Sequence, residues 1–209
     1  YKNLGLGGLR VWNELNGKES VEEERDEARQ SICTSRSFAE TITDIQELSA
    51  RVSDFAAKCA EKLRHDGTAA YCINTFLYTN RFREDKPQDF PDATIRLDMP
   101  ASSTQEVVSA ALKALKLIWK PGFEYKKAGV VVFDIVNREE RQLTLFETDS
   151  AKKEKQDLLS QVMDNVNVSS GQNVLRVATQ RPGHYADGIR REHASRLFST
   201  DWDSIIEIH

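Results

Sequence analysis

From Gln30 to Asn137 the spacing of apolar residues switches between strand-like and helix-like periods, and the order of those switches constrains the fold more than anything else in the chain. Ile45, Leu48, Val52, Phe55, Cys59 and Leu63 recur at three- and four-residue steps, which is one helical face. Thr43 or Asp44 supplies a cap with Glu47 behind it, and His65-Asp66-Gly67 stops the helix. Ser103 and Glu106 repeat the capping pattern before a second stripe made of Val107 or Val108, Ala111, Leu115 and Ile118, which Pro121-Gly122 ends. Strand formers fill residues 30–39, 70–79, 93–97 and 128–136. The resulting order is strand, helix, strand, strand, helix, strand. This is an α+β, ferredoxin-like split βαβ arrangement: four strands, with both helices on one face of the sheet. The other face is left open, and the fold alone does not say what binds there.

The flanks are weaker. Leu4 to Leu15 reads as a short helix with Leu4, Leu9, Trp12 and Leu15 as its stripe, stopped by Asn16-Gly17. An acidic segment to Arg29 has little to bury and reads as a linker or a short solvated helix. Beyond Asp149 we expect a small α+β extension: a helix over 150–166, a strand over 173–179, a turn-rich loop over 180–188 and a last strand over 204–208. The expected domains are thus 1–29, 30–140, a linking peptide 141–149, and 150–209. The chain opens at Tyr1 rather than at a methionine, so we expect a longer parent.

Composition excludes several classes of function. The 209 residues carry a net charge of -4, so indiscriminate nucleic-acid binding is not expected and any such site needs local basic clustering. Cys33, Cys59 and Cys72 lack metal-ligand spacing and fit a reduced, intracellular protein. No nucleophile elbow, Walker loop or metal-spaced His/Cys set occurs, and the Gly5-Leu6-Gly7-Gly8 run does not follow a strand. Asp134 is a lone acid in a strand, which gives no basis for a two-metal site.

The open sheet face is the candidate site. With Ile73, Thr75 and Leu77 turned to the helices, Asn74, Phe76, Tyr78 and Asn80 point outward; with Ile95 and Leu97 inward, so do Thr94 and Arg96. Arg36, between two serines, and Lys126 and Lys127 add positive charge. Such a surface can track a phosphate backbone, or it is an ordinary solvated sheet face.

Ser35-Arg36-Ser37-Phe38 with its following helix, the Ala128-Gly129-Val130 strand and the Gln142-Leu143-Thr144-Leu145-Phe146 run together resemble the C-terminal part of Y-family translesion DNA polymerases of the UmuC type. "LRVWNELNG" is similar to the segment that leaves the thumb in that family, and "RLFSTDW" to the small C-terminal extension. The resemblance implies a little finger domain that grips duplex DNA through its open sheet face, with Arg36, Tyr78, Arg96 and Lys127 facing the DNA. It also implies damage tolerance in the SOS response and a bacterial, cytoplasmic, nucleoid-associated setting. The palm carboxylates that hold Mg2+ in the family would lie upstream of Tyr1. This chain should therefore hold no cofactor and no catalytic residue of its own.

Residues 142–146 have two readings. By themselves, three large apolar side chains beside charged runs suit an edge strand or a core. Within the resemblance they look like a clamp-binding motif: Leu143, Leu145 and Phe146 fill pockets of the bacterial sliding clamp while Gln142 hydrogen-bonds at the rim. The family further implies an accessory subunit and a recombinase filament as partners. The competing reading is a ferredoxin-like protein-interaction or regulatory module with no nucleic-acid role.

Overall fold

The computed structural model describes residues 5–20, 29–138, 150–171 and 174–180. Contacts divide the chain into two compact units, 1–30 and 31–209. In the first, α1 (Gly5–Leu15) forms as the stripe predicts, and none of its residues is buried. Gly17, at φ 72°, follows its end, and the Asn16 side chain donates to the Trp12 carbonyl at 2.6 Å.

The second unit follows the expected order: β1 (Ser31–Ile42), α2 (Ile45–His65), β2 (Thr68–Thr79), β3 (Asp92–Ala101), α3 (Thr104–Ile118) and β4 (Tyr125–Asn137), then α4 (Ser150–Ser169). The four strands form one antiparallel sheet in the order β1-β4-β2-β3. Each βαβ unit is split: β4 lies between β1 and β2, and β2 lies between β4 and β3. Asp44 caps α2 by accepting from the Glu47 N–H at 3.1 Å, and Ser103 caps α3 by accepting from Glu106. The Glu106 carboxylate in turn accepts a hydrogen bond from the Ser103 hydroxyl at 2.6 Å.

The predicted stripes are the core. Leu48, Val52, Phe55, Cys59 and Leu63 of α2 and Val107, Val108, Ala111, Leu115 and Ile118 of α3 are buried with Ile32, Ile73, Leu77, Val130 and Val132 of the sheet. Ala56, Ala60, Ala110 and Ala114 are at most 2 % exposed, small enough for close approach of backbone to backbone. Two polar groups inside this layer are satisfied: Thr75 donates to the Ala111 carbonyl at 3.1 Å, and the Cys59 sulfur meets the Thr34 hydroxyl at 3.3 Å. Burial pushes the Cys59 thiol up, so it is a structural rather than a reactive cysteine.

α4 docks on the helical side. Asp164 accepts two hydrogen bonds from Arg64 of α2 at 2.6 and 2.7 Å, while Arg64 also donates to the Ser102 carbonyl at 2.6 Å. The Arg64 side chain is only 5 % exposed, so this pair is strong and geometrically specific. Ser160 accepts from the Thr104 N–H, one of the free donors at the start of α3, and Asp157 meets Arg138 at 2.8 Å.

The strand expected over 173–179 is not one. Among the described residues, Val174 to Gln180 is irregular and ends in a turn, with the Gln180 N–H donating to the Val177 carbonyl at 2.8 Å. The reason is local: the Asn167 amide on α4 takes both the N–H and the C=O of Leu175, leaving neither for a ladder. The expected strand over 204–208, the loop from 181 and the acidic segment 21–28 lie outside the described residues.

The turn between α3 and β4 is tied to the long β2–β3 connection through Tyr125, which is fully buried. Its hydroxyl accepts from the Lys120 N–H at 3.2 Å and donates to Asp89 at 3.1 Å, and Asp89 also receives the Lys120 ammonium at 2.9 Å. Burial, reinforced by the neighbouring Asp89 carboxylate, pushes the Tyr125 phenol up to about 12 from 10.0. A phenol whose folded value lies above its unfolded one supports the fold fully below pH 10.0 and loses that support as pH rises to about 12. Denaturant titrations from pH 8 to 12 should show stability falling above about pH 10, and Tyr125→Phe should flatten that fall while lowering stability at pH 7 by about 1 kcal/mol.

Candidate nucleic-acid interface

Because the helices cover one face only, the registers read out the other face row by row. Ser37, Lys127 and Tyr78 lie side by side across β1, β4 and β2. The hydrogen bonds from Leu77 N–H to the Pro91 carbonyl and from Thr79 N–H to the Asp89 carbonyl extend the ladder past β3, and they set Phe90 beside Tyr78. The next row is Ser35, Gly129, Phe76 and Asp92; then come Cys33, Val131, Asn74 and Thr94; then Ser31, Phe133, Cys72 and Arg96.

Two features give this face its relief. The first is Gly129. A Cβ built there would lie 2.4 Å from Cζ of Phe76 and 2.5 Å from Cβ of Ser35, so the Phe76 ring rests directly on the glycine backbone. Phe76 is thereby 9 % exposed on a face that none of the described helices covers. Tyr78 packs against it with centroids 4.9 Å apart, Phe90 meets Tyr78 edge-on at 5.7 Å, and the Lys127 ammonium stands 5.9 Å from the Phe76 ring.

The second is Arg96, at the opposite end of the face. It donates to Asp134 at 2.8 Å and lies over the Tyr71 ring at 5.4 Å. The hydrogen bond to Asp134 holds the guanidinium above its ordinary value, so it stays charged throughout. Asp134 has φ 56°, a left-handed conformation rare outside glycine, and it sits where the register between β2 and β3 shifts, between Ala70 and Cys72. The irregularity turns the Asp134 side chain onto Arg96. Nearby, Asn74 donates to both Asp92 at 2.8 Å and Thr94 at 3.0 Å, so the Asp92 carboxylate is hydrogen-bonded within the face.

The structure therefore brings Tyr78, Arg96 and Lys127 onto one open face, as expected, and places Arg36 elsewhere. Arg36 pairs with Ala128, which is buried under the helices, and it shares its side of β1 with the buried Ile32 and Phe38. It lines a recess of about 180 Å³ with Arg51 and Asp54 of α2 and Asp164 of α4. The correction follows from alternation, since Ile32 and Phe38 commit every even position of this stretch to the helical side. Gln142, Leu143, Leu145 and Phe146 lie outside the described residues.

Phe90 and Arg81 border this face through Tyr78 and were not singled out from the sequence, because residues 81–91 read as a polar, proline-containing loop. The loop is in fact tightly built. The Gln88 amide lies 2.8–3.2 Å from the carbonyls of Asn80, Arg83 and Lys86, Arg83 pairs with Asp85 at 2.7 Å, and Lys86 pairs with Glu124. The Arg83 partner holds the Asp85 carboxyl down at about 2. The one sequence signal was the aromatic residue just before Pro91.

Among the described residues, this α+β domain presents one uncovered sheet face that carries aromatic and cationic side chains. Residues 29–145 match the impB/mucB/samB family C-terminal domain, and the chain belongs to that family. Residues 157–208 match a domain of unknown function (DUF4113). Among curated proteins, Protein UmuC of Salmonella typhimurium is 34 % identical over 202 residues, covering 95 % of this chain and 47 % of that protein. Protein ImpB of Salmonella typhimurium is 31 % identical over 207 residues (98 % and 48 %), and Protein MucB of the same species is 32 % identical over 205 residues (98 % and 48 %). The chain spans about half the length of these relatives. A solved chain described as the insertion ternary complex of Dbh DNA polymerase aligns over 62 % of this chain and 35 % of its own, at 13 % identity and a TM-score of 0.43.

Gly129→Ala should cost about 1–3 kcal/mol, because the new methyl displaces the Phe76 ring from its seat. Thermal melts of Gly129→Ala, Phe76→Ala and the double variant check this. The glycine substitution should be markedly less costly once the ring is gone, and equal costs in both backgrounds would show that Phe76 is not what the glycine accommodates.

Proposed function

We propose that this chain is the DNA-holding C-terminal region of an error-prone translesion polymerase, working in the bacterial cytoplasm during SOS damage tolerance. Membership of the impB/mucB/samB family supports the class. The observation that carries the DNA reading is the open sheet face, where Lys127, Tyr78 and Arg96 stand with hydroxyls and an amide within one surface. Lys127 and Arg96 supply the phosphate attraction and the serines of β1 supply neutral donors, a mixture that positions a backbone without reading sequence. Nucleotidyl transfer at Mg2+ belongs to the part of the parent protein beyond this chain, so the contribution here is to hold primer-template DNA in place.

The charge on the face is modest, and Arg96 is already matched by Asp134. Binding of primed duplex should accordingly be weak and salt-dependent. Fluorescence anisotropy should show Lys127→Ala with Arg96→Ala lowering affinity, and the slope of log affinity against log salt should fall by roughly one per lost phosphate contact. Arg36→Ala, on the helical side, should leave binding as it was. Unchanged affinity in the double variant would remove the assignment and favour a protein-interaction module instead.

The tether is the second half of the proposal. Residues 142–146 stand at the C-terminal end of the first region matched to a family model and before the second, and Leu143, Leu145 and Phe146 have the spacing of an extended peptide docking apolar side chains in pockets. A peptide spanning residues 141–149 should bind purified bacterial sliding clamp in calorimetry, and Leu145→Ala with Phe146→Ala should abolish the heat. Equal binding by both peptides would sink the tether.

A further inference from the structure

We infer that the Tyr78–Phe90 pair is a stacking platform for an unpaired nucleobase, so that this end of the open face takes single-stranded DNA beside the duplex. The inference rests on the DNA reading above and makes it specific to one strand form. Neutralising phosphates needs cations alone, yet this corner of the sheet is built from rings. Phe90 is 44 % exposed, and it stands edge-on to Tyr78, which in turn is backed by the buried Phe76. Arg81 lies 6.0 Å from the Phe90 centroid and Lys127 occupies the other flank of Tyr78, so both cations border the rings. Rings flanked by cations are how proteins hold single strands without choosing sequence: bases stack on the aromatic side chains while the phosphates follow the charge. A blunt duplex shields its bases within the stack and has little use for such rings.

The platform is also rigid before any ligand arrives. Phe90 follows Asp89, whose backbone N–H and C=O are both taken by Thr79 and whose carboxylate is held by Tyr125 and Lys120. The ordering cost that a flexible loop would meet on binding is therefore already met in folding. An accidental surface phenylalanine would not require this much support.

Anisotropy of the full chain tests the inference, with a labelled 12-nucleotide single strand compared against the blunt 12-base-pair duplex of the same sequence at moderate salt. We expect the single strand to bind several-fold tighter. Phe90→Leu should weaken it by about fivefold or more, in line with the loss of one base stack, with little effect on the duplex, and Tyr78→Leu should weaken single-strand binding to a similar extent. Phe90→Trp should retain single-strand binding and add a tryptophan signal that the strand quenches, which a merely structural role for Phe90 would not give. If the duplex binds as tightly as the single strand, or if the leucine variants match the parent while melting normally, the stacking inference fails and the duplex-holding reading stands. If neither DNA binds, both fail.

Discussion

The burial of one sheet face dictates everything on the other. α2 and α3 bury Ile32, Ile73, Leu77, Val130 and Val132, and because side chains alternate with a period of two, each of those residues assigns its neighbours to the open side. A slip of one position in β4 would bring Lys127 under the helices, and one in β2 would bring Tyr78 there. The cost would include the desolvation of a lysine as well as the loss of core contacts, so the registers are held from both directions. The open surface is thus specified by residues that do not lie on it.

This dependence explains what could be read from the sequence. The element order, both helix caps and nearly all of the helical stripes were legible, because amphipathic periodicity and capping are local and each is repeated twice. In β2 and β3 alternation gave the outward residues directly. β1 misled because the charge of Arg36 suggested the open face, although Ile32 and Phe38 had already set its side. Local chemistry and strand parity disagreed, and parity prevailed. What was not legible depended on distant partners: the seat of Phe76 on Gly129, the turn of Asp134 onto Arg96, and the position of Phe90, which requires knowing that the ladder continues through Asp89 and Pro91. The strand expected near Leu175 failed for a related reason, since Asn167 on α4 competes for its backbone groups.

The two sides of the domain differ in electrostatic character. On the helical side Arg64 is sequestered by Asp164 and a carbonyl, a pair whose value lies in fixing α4 against α2 and α3. On the open side Arg96 and Lys127 remain at the surface, where attraction to a partner is tuned by ionic strength. In a chain of net charge -4, two acids of this face have partners within it: Asp92 accepts from Asn74 and Asp134 pairs with Arg96.

The Tyr125–Asp89–Lys120 network has a mechanical meaning beyond its role in packing. Lys120 and Tyr125 flank the turn that follows α3, whereas Asp89 immediately precedes the aromatic Phe90 at the sheet's far edge. One carboxylate therefore acts as a strut between the helical layer and the open face. The end of α3 and the ring of Phe90 are held in one frame, so that loosening either end of the strut would loosen the other.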